Sequence, residues 1–410
     1  MNLVYNKTYG KGVLIMKYQF AHRMLNVKAS AIREILKATA NPDVISFAGG
    51  NPSTEAFPVK EIEKISGDLL AHQPISVLQY GITEGDQELI KQATAFFNRH
   101  EQVTKDGDQM LITSGSQQIM EFAAKILCNE GDVVVCENPS FLGALNAFKS
   151  LGAMLRGITY HNGQLDLEKL EAALSMEPRP KFMYLIPNFQ NPTGMTMSLD
   201  VRRAVLKLAK KYGVLILEDN PYGDLRFGGE AVPSMKSLDE DGLVIYAASL
   251  SKIIAPGMRV ACCIAPRDII QKMVVAKQAS DVHSNLWAQK VMARYLRDYD
   301  MNEHIDRISK VYKKKCHLML DEMKKHFHPD VQYTIPTGGM FIWVTLPDHV
   351  DMLSFVQKAL EKNVAVVPGN AFLDDDTKEC HSFRMNYSTP TDEKIIEGVK
   401  ILGQITYEML

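Results

Sequence analysis

The feature that most constrains this chain is a series of short apolar runs through its middle. Residues 109–113, 132–136, 182–186, 214–217, 243–246 and 259–264 are such runs, and most of them end on a polar cluster. Strands that are apolar on successive residues are buried on both faces, as in mainly parallel sheets. Helical patterns fill several gaps, such as 116–127 and 199–212, the second ending at Gly213. Strand–helix alternation of this kind predicts an α/β architecture. In open sheets of this class ligands bind beyond the carboxyl ends of the strands, so chemistry is expected in the polar clusters.

The pattern changes after residue 298. A long amphipathic helix is expected over 303–327, then strands near Val331, Phe341 and Val364, a strand over 383–387 and a terminal helix. That predicts a smaller α+β unit. Near the front, 30–40 is expected to be helical and 48–53 is turn-rich. The expected division is therefore an N-terminal arm and helix over 1–45 packing with the small domain, a large domain over 46–297 and a small domain over 298–410.

Composition removes several function classes. The 410 residues carry 46 Lys plus Arg against 48 Asp plus Glu, a net charge of −2. No basic excess points to nucleic acid or to an anionic membrane surface. No apolar run approaches the roughly 20 residues that a membrane helix needs. The six cysteines are scattered in apolar runs without a C-x-x-C pair, which predicts a reducing, cytoplasmic setting. No metal-ligand constellation is present in the sequence.

Four polar clusters follow strands. Thr113-Ser-Gly-Ser-Gln-Gln118 opens a helix, where free amides can bind an anion or where a plain capped turn would read the same. Asn191-Pro-Thr-Gly194 has the composition of a loop. Leu217-Glu-Asp-Asn-Pro-Tyr222 ends a strand on acids, and Ser249-Leu-Ser-Lys252 ends one on a lysine that could equally be surface. Each cluster alone has an ordinary structural reading. Their order and spacing carry more: Asp219 lies 28 residues after Asn191, Lys252 lies 33 after Asp219, and Arg259 lies seven after Lys252.

In that order and spacing the sequence resembles the fold-type-I aminotransferases that use pyridoxal 5′-phosphate. It is most similar to their 2-aminoadipate and kynurenine subgroup, which includes the catalytic half of MocR-type regulators. The stretches 30–36, 46–50, 78–80, 188–194 and 338–341 all look like that subgroup. The resemblance implies a three-layer αβα large domain with a mainly parallel seven-stranded sheet, as in aspartate aminotransferase. It also implies amino-group transfer between an L-amino acid and a 2-oxo acid, by ping-pong half-reactions through a lysine Schiff base. One pair is expected to be glutamate and 2-oxoglutarate.

By the same resemblance, Lys252 is the cofactor-anchoring lysine and proton carrier. Asp219 faces the ring nitrogen, and Asn191 and Tyr222 hold the phenolic oxygen. Ser116, Gln117, Ser249 and Arg259 hold the phosphate, with Tyr80 reaching it from the second subunit of a homodimer. Arg384 clamps the substrate carboxylate, as a planar guanidinium can do bidentately. Phe141 stacks on the ring; the subgroup often has tyrosine there, so a hydroxyl is absent. Gly50 and Asn51 fit the loop near the substrate entrance. Arg33 can reach a distal substrate carboxylate or pack over that entrance. Two alternatives share these residues. One is another chemistry of the same cofactor, such as C–S lysis. The other is a MocR-type regulator without its DNA-binding domain, for which fewer than about 30 residues precede the matching region.

Overall fold

The computed structural model describes residues 18, 20–25 and 41–410. Arg33 and the helix expected over 30–40 lie outside the described residues.

The main sheet has seven strands: β1 Asp108–Thr113, β2 Val133–Glu137, β3 Met154–Ile158, β4 Pro180–Leu185, β5 Leu215–Asn220, β6 Val244–Ser249 and β7 Ala261–Pro266. Six of them coincide with the apolar runs to within a few residues. The seventh, β3, is not expected from the sequence. It is an edge strand in the order β1-β7-β6-β5-β4-β2-β3. Only Ile158 of β3 is fully buried, so the continuous apolar run that marks its neighbours is missing. Every neighbouring pair is parallel except those of β7, which runs antiparallel to β1 and β6.

Alternate residues of the central strands enter different cores, as the two-residue period of a strand requires. Tyr184 and Leu217 pack with helices α1 Ser116–Leu127, α2 Leu142–Ser150 and α4 Arg267–Gln278 on one face. Met183 and Ile216 pack on the other face with α3 Leu199–Tyr212. This is the expected three-layer αβα arrangement. Helix α1 has the limits expected of it, and α3 ends at Gly213, whose φ of 66° places it in the left-handed region.

Helices α5 Leu286–Asp298 and α6 Met301–His326 lead into a four-stranded antiparallel sheet. Its strands are β8 Gln332–Tyr333, β9 Phe341–Thr345, β10 Val367–Pro368 and β11 Ser382–Asn386, ordered β8-β9-β11-β10. Helix α7 Asp392–Met409 closes the chain against α6. Helix α6 starts two residues before its expected limit because Asp300 accepts from the Asn302 and Glu303 amides. Ile45–Ser46 pairs in parallel with Val364–Ala365, which brings the turn-rich 48–53 stretch to the mouth of the main sheet.

Candidate active site

A cavity of about 360 Å³ opens at the carboxyl ends of the parallel strands. It gathers Gly50, Asn51, Ser116, Gln117, Phe141, Asn191, Asp219, Tyr222, Ser249, Lys252, Arg259 and Arg384. These come from loops, strands and a helix start spread over 335 residues of chain, and all twelve had been singled out in the sequence. Arg33 lies outside the described residues. Tyr80 is not in the cavity; it is 82% exposed, with its ring edge-on to His283 at 5.7 Å.

Lys252 follows β6, and its Nζ donates to the Gly50 carbonyl at 2.7 Å. Burial lowers its pKa to about 8, assisted by the positive charges of Arg384 and Arg259 and opposed by Asp219. Near neutral pH an appreciable fraction is therefore the free amine, the form that can attack a carbonyl carbon.

Asp219 lies near the end of β5 and is 2% exposed. Its Oδ2 accepts from the Tyr184 hydroxyl at 2.7 Å, while Oδ1 is buried with no partner among the described residues. Burial raises its pKa to about 7, against the lowering effects of the Tyr184 hydrogen bond and of Lys252. A buried carboxylate oxygen without a donor is costly, and it marks where a cationic or N–H group would be bound.

Arg384, on β11, reaches across from the small sheet. Its Nη1 donates to Asn191 Oδ1 and its Nη2 to the Ala48 carbonyl, both at 2.8 Å. Its guanidinium lies 4.2 Å from the Phe341 ring centroid and 4.9 Å from that of Phe372. Burial lowers its pKa to about 10, so it stays charged near neutrality. Its Nε is buried and has no partner among the described residues. Asn191 is also within hydrogen-bonding reach of the Tyr222 phenol, whose pKa is raised by burial.

The other end of the cavity is built for an anion. Gly115 precedes α1 with φ of 83°, and an added Cβ would lie 2.0 Å from Arg259 Nη2. Only a glycine lets the guanidinium sit against the helix start. Arg259 itself is left-handed, with φ of 54°. It donates to the Ser114 and Pro256 carbonyls and has no carboxylate partner among the described residues. Phe141 and Gln117 share space over Gly143, where a Cβ would approach them to 2.4 and 2.6 Å. An added Cβ at Gly50 would lie 3.4 Å from the Phe341 ring, so packing alone does not demand glycine there.

Several contributors were missed in the sequence. Tyr184 sits in an aliphatic strand beside β5; its signal was a lone hydroxyl in an apolar run. Ser251 and Phe341 line the cavity, and both belong to stretches already quoted for the resemblance. Beneath the helix start, Gln118 Oε1 accepts from the Ser114 amide at 3.0 Å and from Lys277 Nζ at 2.8 Å. Lys277 is fully buried and paired with Asp281 at 2.8 Å. Nothing local in the sequence marks that brace, because it joins positions about 160 residues apart.

Comparison with known proteins identifies a family. The model of the family described as aminotransferase class I and II matches residues 42–402. The chain is 37% identical to an aromatic-amino-acid aminotransferase 1 of Thermococcus litoralis, over 95% of this chain and 94% of that protein. It is also 37% identical to a 2-aminoadipate transaminase of Thermus thermophilus, over 92% of this chain and 94% of that protein. A solved structure of Pyrococcus horikoshii kynurenine aminotransferase, complexed with PMP, superposes with a TM-score of 0.91 at 36% identity. That match covers 95% of this chain and 97% of the other.

Proposed function

The chain belongs to the class I and II aminotransferases, and from that premise we propose that it moves an amino group between an L-amino acid and a 2-oxo acid. Glutamate and 2-oxoglutarate form one pair, and the two half-reactions alternate at one site. The cofactor is pyridoxal 5′-phosphate, which when bound supplies an electrophilic carbon for amines and an electron-withdrawing ring.

The residues present fit that group. The unpartnered buried Oδ1 of Asp219 suits a protonated ring nitrogen. The start of α1, with Ser116, Gln117, Ser249 and Arg259 around it, suits a phosphate. Phe141 offers an aromatic face, and Asn191 with Tyr222 offers donors to a phenolic oxygen. Lys252 holds the cofactor and then moves a proton at the substrate Cα. Arg384 binds the α-carboxylate of the substrate and so orients that Cα. In this reading Tyr80 completes the phosphate site of a second copy of the chain. In the same reading 46–297 forms the large domain and 298–410 the small one, while most of the arm over 1–45 lies outside the described residues.

The observation that carries the reading is the meeting of Lys252, Asp219 and Arg384 in one cavity. The donor spectrum is tested by screening amino acids against 2-oxoglutarate with the purified, cofactor-loaded protein. Lys252→Ala should lose the visible absorbance band and slow turnover by about 10²–10⁴-fold. Turnover of that variant at the wild-type rate would sink the assignment. Keto-acid release without amino-group acceptance by 2-oxoglutarate would replace transfer by lysis.

A further inference from the structure

Residues 250–254 form one turn, in which the Ile254 amide donates to the Leu250 carbonyl at 2.9 Å. Lys252 sits in that turn. The neighbouring Ile253 carbonyl lies 2.6 Å from Nε2 of His304, near the start of α6. A carbonyl can only accept, so Nε2 carries the proton. Nδ1 of the same ring lies 3.1 Å from Arg307 Nη2, which can only donate, so Nδ1 is the acceptor. Both ring nitrogens are thereby engaged in a single neutral tautomer. The ring is buried, with Tyr295 of α5 edge-on at 5.6 Å and Glu61 of the helix Val59–His72 as its acidic neighbour.

Helix α6 also reaches the other side of Lys252. Arg307 Nη1 donates to the Glu55 carbonyl at 2.8 Å, and the Tyr312 hydroxyl accepts from the Ser53 amide at 3.1 Å. Ser53 and Glu55 follow the loop whose Gly50 carbonyl accepts from Lys252 Nζ. Three side chains of α6 thus tie down both the turn that carries the lysine and the segment that receives its amine. An apolar side chain would fill the His304 space at no desolvation cost, so packing alone does not call for an imidazole.

We propose that His304 is a positioning residue for Lys252, fixing the lysine's turn through the Ile253 carbonyl and, with Arg307, keeping that turn in register with the Gly50 loop. This rests on reading Lys252 as the cofactor-anchoring lysine. Sub-ångström placement matters here, because a small misplacement of a reacting group costs rate even when its cause lies outside the site.

The test compares His304→Leu with His304→Gln, whose side-chain amide can donate to the same carbonyl. In the cofactor-loaded protein, His304→Leu should move the pH midpoint of the visible band by at least about 0.5 unit. Its kcat should fall about tenfold with KM changed less than about threefold. In the cofactor-free protein, amide exchange over 250–256 should quicken in the same variant. His304→Gln should stay within about threefold of wild type in kcat. Should His304→Leu not fold, Arg307→Met takes its place, with the same signs and smaller sizes. An unmoved midpoint with unchanged exchange overturns the proposal, as does His304→Gln matching the damage of His304→Leu. Lys252→Ala separates the two claims: if it keeps the band, the lysine assignment fails, whereas the exchange measurement needs no cofactor.

Discussion

A carboxyl buried like that of Asp219 keeps its proton to higher pH than it would in water, and this ties the chain's stability to pH. Its pKa is about 7 in the folded chain against an ordinary value of 3.8. Between those values the folded state binds more protons than the unfolded one. The contribution of Asp219 to stability therefore falls as pH rises from about 4 to about 7. Glu137 and Glu218, raised by burial to about 8 and about 7, act in the same direction. Asp219→Asn in the cofactor-free protein should therefore flatten the stability profile. Relative to wild type it should gain about 2–3 kcal/mol between pH 5 and pH 8. Chemical denaturation at the two pH values checks this, and parallel profiles would contradict it. Asp219 was legible in the sequence because its spacing to Asn191 and Lys252 is distinctive. Its hydrogen-bond partner Tyr184 was not, because that contact exists only once β4 and β5 lie side by side.

At the level of elements, local chemistry predicted helices better than it predicted edges. Helices α1 and α3 have the expected limits, set by a glycine turn before one and Gly213 after the other. Strand β3 escaped notice because an edge strand need not be apolar on both faces. Helix α6 shows how a cap sets a start. Asp300 satisfies two amides that would otherwise lack partners, and its charge opposes the positive end of the helix dipole. Asp300→Ala should lose about 1 kcal/mol of stability. Urea denaturation measures the loss, and hydrogen exchange should place it in the first turn of α6. An unchanged midpoint would mean that packing, not the cap, holds that end.

For the whole molecule, the apolar side chains left outside are as informative as the core. Ile75 and Leu78 are each 73% exposed, and Tyr80 and Ile82 lie beside them in sequence. Large apolar groups exposed together mark an interaction surface. A twofold dimer would cover this segment and carry Tyr80 to the neighbouring cavity. Mixing two defective chains tests the idea. Lys252→Ala and Tyr80→Ala homodimers each lack one part of every site, but a hybrid would hold one intact site and one with both lesions. Refolding equal amounts together should restore about a quarter of the sites on statistical mixing. Activity no higher than the average of the two parents would show that Tyr80 serves its own subunit or none.

The sequence by itself determined the alternation of buried strands and helices, and with it the three-layer sheet. The order and spacing of its strand-end clusters carried the resemblance by which the cavity residues were singled out. The tertiary structure decided what has no such trace. It placed Arg384 of the small sheet 2.8 Å from Asn191 in the loop after β4. It left one oxygen of Asp219 without a donor, braced the start of α1 through Lys277, and set His304 behind the turn of Lys252. These contacts join residues from 51 positions apart, in Ile253 with His304, to 193 apart, in Asn191 with Arg384. Burial strengthens them and shifts their protons, and burial is a property of the folded chain alone.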